Sequence, residues 1–278
     1  MPLSWSGCLR VGGLTLAGIF GIVGGLSLVD ESQDPVVETV SIPIRGLHPA
    51  LEGFTIVQMT DIHLRPYTRP NLVQRAIAMA NQLQPDLIVL TGDYVWRTRE
   101  AVFEVAPLLA GLNARYGVYS VMGNHDHWLD IRALQAAFYE SRLPVLCNEG
   151  LVIGVGKALL YLAGVDDGWC GHPDLKLALD HAPHGAPVIL LLHEPDLADE
   201  TCQDTRVSLQ LSGHTHGGQV RVPGRPPIFH PYLGKNYPNG LYKVKDLWLY
   251  TNRGIGVISV PLRINCPPEI TQLTLVSD

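Results

Sequence analysis

Short apolar runs alternate with amphipathic segments through the first half of the chain. Phe54-Thr55-Ile56-Val57-Gln58-Met59 has the length and composition of a strand. The spacing then predicts a helix over 71–83, stopped by Pro85, and a buried strand over 86–90. A helix over 100–113, a strand over 117–122 and a helix over 130–141 follow. Three strand–helix units in succession predict a largely parallel sheet covered by helices. An edge strand at 36–40 precedes them. The middle of the chain is richer in β signal: runs at 145–147, 151–153 and 159–163 read as a meander. A short helix at 174–179 leads to buried strands at 187–192 and 207–211. Residues 223–240 are rich in Pro and Gly and read as a long loop, the kind that tends to be functional. Strands at 247–251 and 270–275 close the fold; there are no internal repeats.

The strands end in polar clusters. After 54–59 comes Thr60-Asp61-Ile62-His63; after 86–90, Thr91-Gly92-Asp93-Tyr94; after 117–122, Gly123-Asn124-His125-Asp126. The later strands run into His193-Glu194-Pro195 and Gly213-His214-Thr215-His216-Gly217-Gly218-Gln219. In parallel sheets, ligands bind beyond the carboxyl ends of the strands. In extended backbone, residues two apart share a side, so His214 and His216 would aim at one point, as would Asp61 and His63.

Taken singly, Asp61, Asp93, Asn124 and Asp126 have ordinary readings as turn or cap residues. His193 alone reads as a loop residue. Together with His63, His214 and His216 they form an oxygen and nitrogen donor set without cysteine, which suits Mn, Fe, Zn, Co or Ni. A catalytic zinc takes about three protein ligands. Asp61, His63, Asp93, Asn124, His193, His214 and His216 are therefore too many for one ion and fit two divalent ions that share a carboxylate. Such pairs, about 3.5–4 Å apart, clamp displacement at phosphorus. Two cations against two carboxylates leave the site positive and attractive to phosphate. Nothing places His127, Trp128, His172, His181, His184 or His230 on a metal.

The ordered series Asp-x-His, Gly-Asp, Gly-Asn-His-Asp, His and Gly-His-x-His resembles the calcineurin-like metallophosphoesterase superfamily, from about Phe54 to Gly217. The extension Gly-Gly-Gln and the tail Leu262-Arg263-Ile264-Asn265-Cys266-Pro267-Pro268-Glu269-Ile270 resemble its bacterial membrane-associated branch, similar to phosphodiesterases and to the UDP-diacylglucosamine pyrophosphatases of lipid A synthesis. Tyr94 stands where many relatives carry a longer Gly-Asp-x-x-Asp motif. The resemblance implies a four-layer αββα sandwich of mixed sheets with the active site at the strand C-terminal ends. It implies that Asp61, His63 and His216 bind one metal and Asn124, His193 and His214 the other, with Asp93 bridging. It implies that His125 faces the substrate phosphate as a catalytic residue and that Asp126 orients its ring.

Composition fits a sizeable core: of 278 residues, 46% are hydrophobic and 17% charged. A net charge of −6, with no Lys/Arg block, argues against a nucleic-acid surface. Cys8, Cys147, Cys170, Cys202 and Cys266 are scattered and form neither a disulfide framework nor a thiolate zinc site. Residues 11–29 are uncharged and rich in Gly, Leu, Ile and Val. As a helix at about 1.5 Å per residue they would span roughly 28 Å, near the ~30 Å bilayer core. Residues 1–30 are thus read as a membrane anchor or signal segment, and 31–278 as the catalytic domain. Arg10 weakly places that domain on the non-cytoplasmic face.

Three functions compete. The first is hydrolysis of a phosphodiester or pyrophosphate, including a phospholipid or lipid-linked nucleotide. The second is a phosphomonoesterase or nucleotide phosphodiesterase with a soluble substrate. The third is a non-catalytic scaffold, disfavoured because the whole ligand set is present. A metallo-β-lactamase-type hydrolase would need an HxHxDH cluster, which is absent.

Overall fold

β2 (Thr55–Met59) and β3 (Leu87–Thr91) are buried along almost their whole length because both faces of their sheet are covered. In this computed structural model, which describes residues 34–222, 224–259 and 261–278, that sheet also contains β1 (Val36–Ile44), β4 (Val118–Val121) and β11 (Glu269–Ser277). The order is β1-β11-β2-β3-β4. β2, β3 and β4 run parallel; β11 is antiparallel to β2 and parallel to β1.

The second sheet holds β5 (Glu149–Val155), β6 (Ala158–Gly164), β7 (Val188–Leu191), β8 (Val207–Ser212), β9 (Gly240–Val244) and β10 (Leu247–Thr251). Its order is β5-β6-β7-β8-β10-β9, parallel through β6, β7, β8 and β10 and antiparallel at both edges.

Strand periodicity sorts the apolar side chains into layers. Ile56, Leu87 and Val89 point between the sheets, where they meet Leu160, Leu162, Leu191 and Leu209. Their neighbours Val57, Ile88 and Leu90 point outward onto α1 (Pro70–Gln82), α2 (Ala101–Leu109) and α3 (Asn124–Glu140). On the far side, Tyr161, Ala163 and Leu190 pack under α4 (Leu175–Ala178) and α5 (Ala198–Thr201). The result is the expected αββα sandwich of mixed sheets. Gln58 ties the two sheets together near the strand ends, where its Nε2 donates to Thr91 Oγ1 at 3.0 Å and Ser212 O at 2.9 Å.

Several elements differ from the sequence reading. α3 begins at Asn124, not Asp130, because the Asp126 carboxylate accepts from the Gly123 amide at 2.9 Å and closes a first turn. The helix kinks at Asp130, with φ −165° and ψ 79°. The stretch 145–147 contributes only a bridge from Val145 to Ser120, and the meander reduces to the β5–β6 hairpin. β9 was not expected: it is an edge strand whose alternate exposed positions break up its apolar signal. The expected anchor or signal at 1–30 lies outside the described residues; no described helix is long and apolar enough to cross a membrane.

Candidate metal centre

The polar side chains gather where the carboxyl ends of both sheets meet, on backbone that has left the strand conformation. Asp61, His63, Asp93, His214 and His216 all have positive φ, between 44° and 73°. The extended geometry assumed for Asp-x-His and His-x-His therefore does not hold. Left-handed conformation costs an L-residue about 1–2 kcal/mol, and such strain collects at functional sites. Gly213 and Gly123 let the loops close in: a Cβ on Gly213 would strike Thr60 Oγ1 and Asp61, and one on Gly123 would strike Asp93.

The turn sends the two histidines of Gly-His-Thr-His to different places. Asp61, His63 and His216 form one group able to hold a metal ion; Asp93, His193 and His214 form another; His63, Asp93 and His125 form a third between them. His216 Nε2 lies 3.3 Å from Asp61 Oδ1, and His193 Nε2 lies 3.2 Å from Asp93 Oδ2. His63 Nε2 sits between the carboxylates, 3.4 Å from Asp93 and 3.7 Å from Asp61. Asn124, just beyond the end of β4, is buried with them.

The surrounding main chain orients these groups. His193 Nδ1 lies 2.6 Å from Thr91 O, so that nitrogen carries a proton and Nε2 is the atom turned toward Asp93. His214 Nε2 donates to Tyr232 O at 2.7 Å, leaving Nδ1 free. The His214 amide donates to both Asp61 oxygens, at 2.9 and 3.1 Å. These carbonyl partners fix tautomer and ring orientation as they do around metal-bound imidazoles.

The donor set fits cations. His63 Nε2, His193 Nε2, His216 Nε2 and Asn124 Oδ1 are buried without any hydrogen-bond partner. Buried polar atoms are rarely left so, and their convergence is what a bound ion would satisfy. Burial pushes His63 and His193 toward the neutral form. The carboxylates of Asp61 and Asp93 nevertheless draw protons onto both, raising His63 to about 9 and His193 well above its ordinary value. Burial likewise opposes ionisation of Asp61, yet His216 and its neighbours hold that carboxyl well below the usual range.

His125 stands at the mouth of the site. Its amide donates to Asp93 Oδ1 at 2.9 Å, and its ring meets His63 and Trp128 edge-on, at centroid separations of 4.8 and 4.6 Å. Burial pushes its ring down to about 3, so it is neutral. Asp126 does not orient that ring. Its carboxylate turns instead to the main chain, where it accepts from the amides of Asp93, Tyr94 and Gly123 at 2.8–2.9 Å and so shapes the Asp93 loop. Burial and the nearby Asp93 push its carboxyl up to about 7. Tyr94 is buried and donates to Leu90 O at 3.1 Å or Val121 O at 2.7 Å.

Several residues escaped the sequence reading. Trp169 bridges the mouth, edge-on to Trp128 at 4.8 Å, Tyr232 at 5.5 Å and His214 at 6.1 Å. Its loop is pinned by acids: Asp166 pairs with His127 at 3.1 Å, Asp167 Oδ1 accepts from the Trp169 amide at 3.0 Å, and Glu194 Oε2 accepts from the Gly168 amide at 2.8 Å. Arg263 donates to the carbonyls of Arg253, Gly254 and Cys266 and approaches His216 Nδ1 at 3.4 Å. No periodicity marks such residues; only proximity to the Gly-Asn-His-Asp and His-Glu-Pro motifs hints at His127 and Glu194. His172, His181, His184 and His230 are exposed.

Side chains able to hold metal ions at the strand ends of a mixed sandwich suit a metal-dependent phosphoester hydrolase. Residues 54–218 match the model of the calcineurin-like phosphoesterases, and the chain belongs to that family. It is 36% identical to the uncharacterized metallophosphoesterase YkuE of Bacillus subtilis, covering 98% of this chain and 94% of that protein. It is 34% identical to the phosphodiesterase YaeI of Escherichia coli, covering 80% of this chain and 82% of the relative. It is 31% identical to a transmembrane protein with metallophosphoesterase domain of Danio rerio, across 92% of this chain but only 61% of that protein. Among solved structures, TT1561 of Thermus thermophilus superimposes with a TM-score of 0.50 at 12% identity, over 73% of this chain and 90% of that one, a likeness of fold.

Proposed function

We propose that the chain is a two-metal phosphodiesterase whose substrate is an amphiphilic phosphodiester or pyrophosphate, such as a phospholipid or lipid-linked nucleotide. The observation that carries the two-metal part is the pair of ligand groups on either side of Asp93, each with orphaned buried nitrogen atoms. Asp61, His63 and His216 would hold one ion, and Asn124, His193 and His214 the other, with Asp93 between them. Bound divalent ions supply Lewis-acid polarisation of the phosphoryl oxygens and ready deprotonation of water. His125, kept neutral by burial, offers its ring N–H to a phosphoryl or leaving oxygen. Asp126 holds the Asp93 loop in place through its amides.

The amphiphilic part rests on the mouth and on the N-terminal segment. Ile228, Phe229 and Tyr232 are exposed near Arg225, an arrangement suited to an interface where acyl chains meet phosphates. Tyr237, by contrast, packs onto the second sheet and donates to Asp199 at 2.6 Å. Residues 1–30 are proposed as a membrane anchor and 31–278 as the catalytic domain; two relatives bear names that call them transmembrane proteins. The test compares kcat/KM of the full chain in detergent for a phospholipid or lipid-linked nucleotide with that for a soluble phosphomonoester. Preference for the amphiphile is expected; equal or better turnover of the soluble monoester would count against the reading.

A further inference from the structure

Beside the metal-ligand cluster lies a cavity of about 310 Å³ that the hydrolytic machinery leaves unused. His214 and His216 line it on one side. Val220, Phe229, Pro231 and Ile258 form the rest of its apolar wall. Its volume is at the lower end of small-molecule sites.

Gln219, Thr215 and His214 on its wall already have hydrogen-bond partners, while His230 and Ser259, which also line it, are exposed. Gln219 Nε2 donates to Ile258 O at 3.0 Å, and Gln219 Oε1 accepts from the Ile258 amide at 2.9 Å. Thr215 Oγ1 donates to Pro238 O at 2.6 Å and accepts from the Gly217 amide at 3.1 Å. His214 Nε2 is bound to Tyr232 O. A nucleobase or sugar entering here would give up its hydrogen bonds to water and regain few, at a cost of about 1–3 kcal/mol per group. A hydrocarbon loses nothing and removes apolar wall from water. Phe229, 66% exposed, stands at the lip and extends the apolar surface outward.

We infer that this cavity is a specificity subsite that takes the hydrocarbon portion of the substrate, an alkyl or acyl group attached close to the phosphate. The inference rests on the phosphodiesterase reading and narrows it: chain length near the phosphorus, rather than base or sugar identity, sets the preference among diesters. The cavity is adjacent to His214 and His216, so only the first several methylenes from the phosphate enter it. Selectivity therefore saturates once it is full.

The experiment uses the full chain loaded with Mn²⁺ at fixed detergent. It compares p-nitrophenyl methyl, butyl, hexyl and octyl phosphates and p-nitrophenyl thymidine phosphate. Each methylene that enters is expected to raise kcat/KM by about fourfold, followed by a plateau. Phe229→Asp and Ile258→Asp are expected to flatten the series, read as the hexyl-to-methyl ratio within one enzyme, which partial unfolding does not change. Calorimetric titration with methylphosphonate and octylphosphonate gives a readout independent of turnover, with the octyl compound expected to bind at least tenfold more tightly. A flat wild-type series, a slope that survives both substitutions, or a preference for the thymidine ester over the octyl ester would overturn the subsite. If no ester is hydrolysed but octylphosphonate still binds preferentially, the phosphodiesterase reading fails and the hydrocarbon site stands.

Discussion

The carboxylate of Asp126 is bonded to the main chain of Asp93: Oδ2 accepts the Asp93 amide at 2.9 Å and Oδ1 the next amide, of Tyr94, at 2.8 Å. Oδ2 also accepts the Gly123 amide, so one side chain sets both the Gly-Asp loop and the start of α3. Asp126→Ala leaves these buried amides without a partner, each costing about 1–3 kcal/mol. Lower thermal stability and a loss of roughly 10–100-fold in metal affinity are expected. Thermal melts and metal titration check this; unchanged metal affinity would refute the positioning role.

Asp93 belongs to two of the three ligand groups. Asp93→Ala is therefore expected to reduce metal content at both positions, whereas Asp61→Ala affects the group with His63 and His216 more. Elemental analysis after dialysis against Mn²⁺ measures the difference. Retention of two ions by Asp93→Ala would show that this carboxylate is not shared.

His125 is expected to act on substrate while leaving the metals in place. His125→Ala should lower kcat by roughly 10²-fold or more, in the range of general acid–base effects, with metal content unchanged. Loss of an ion in this variant would make His125 a ligand instead.

Chelation is expected to abolish hydrolysis of an aryl phosphodiester and to lower the melting temperature, because buried carboxylates and imidazoles then face each other alone. Added Mn²⁺ should restore both. Full activity in protein shown by elemental analysis to be metal-free would contradict the reading.

The His127–Asp166 pair carries a pH dependence of stability. Its hydrogen bond raises His127 above the ordinary 6.5 and lowers Asp166 from 3.8 to about 2. The histidine contribution is full below about 6.5 and is lost as pH rises through the raised value; the aspartate contribution is full above about 3.8 and is lost as pH falls toward about 2. The window is therefore mildly acidic. His127→Gln should lower the melting temperature more at pH ~5 than at pH ~9, and an equal loss at both would exclude the ion pair as the cause.

The donor groups that the fold gathers were legible because each follows an apolar strand, and strand ends are easy to find. Asp61, Asp93, Asn124, His193 and the Gly-His-Thr-His stretch needed only order and spacing. Spacing alone aimed His214 and His216 at one point and only the resemblance divided them; the left-handed backbone at both residues is what sends them to different groups. The role of Asp126 is hidden for a related reason: neighbours in sequence need not be neighbours in side-chain space. Trp169, Tyr232 and Glu194 depend on loops converging from distant segments, which no local pattern records. β9 was hidden because an edge strand with one exposed face and mixed residues resembles loop.

Two of the three groups draw on both sheets: Asp61 and His63 follow β2 while His216 follows β8, and Asp93 follows β3 while His193 and His214 follow β7 and β8. The His214 amide reaches Asp61 across 153 residues of chain. Contacts so distant in sequence form late, once the loop-closure entropy of both sheets has been met. A cation bound there would grip a seam expected to close only after the folding transition state. Its stabilisation then falls on the unfolding limb of the kinetics, lengthening the lifetime of the folded molecule while leaving the speed of folding nearly as it was.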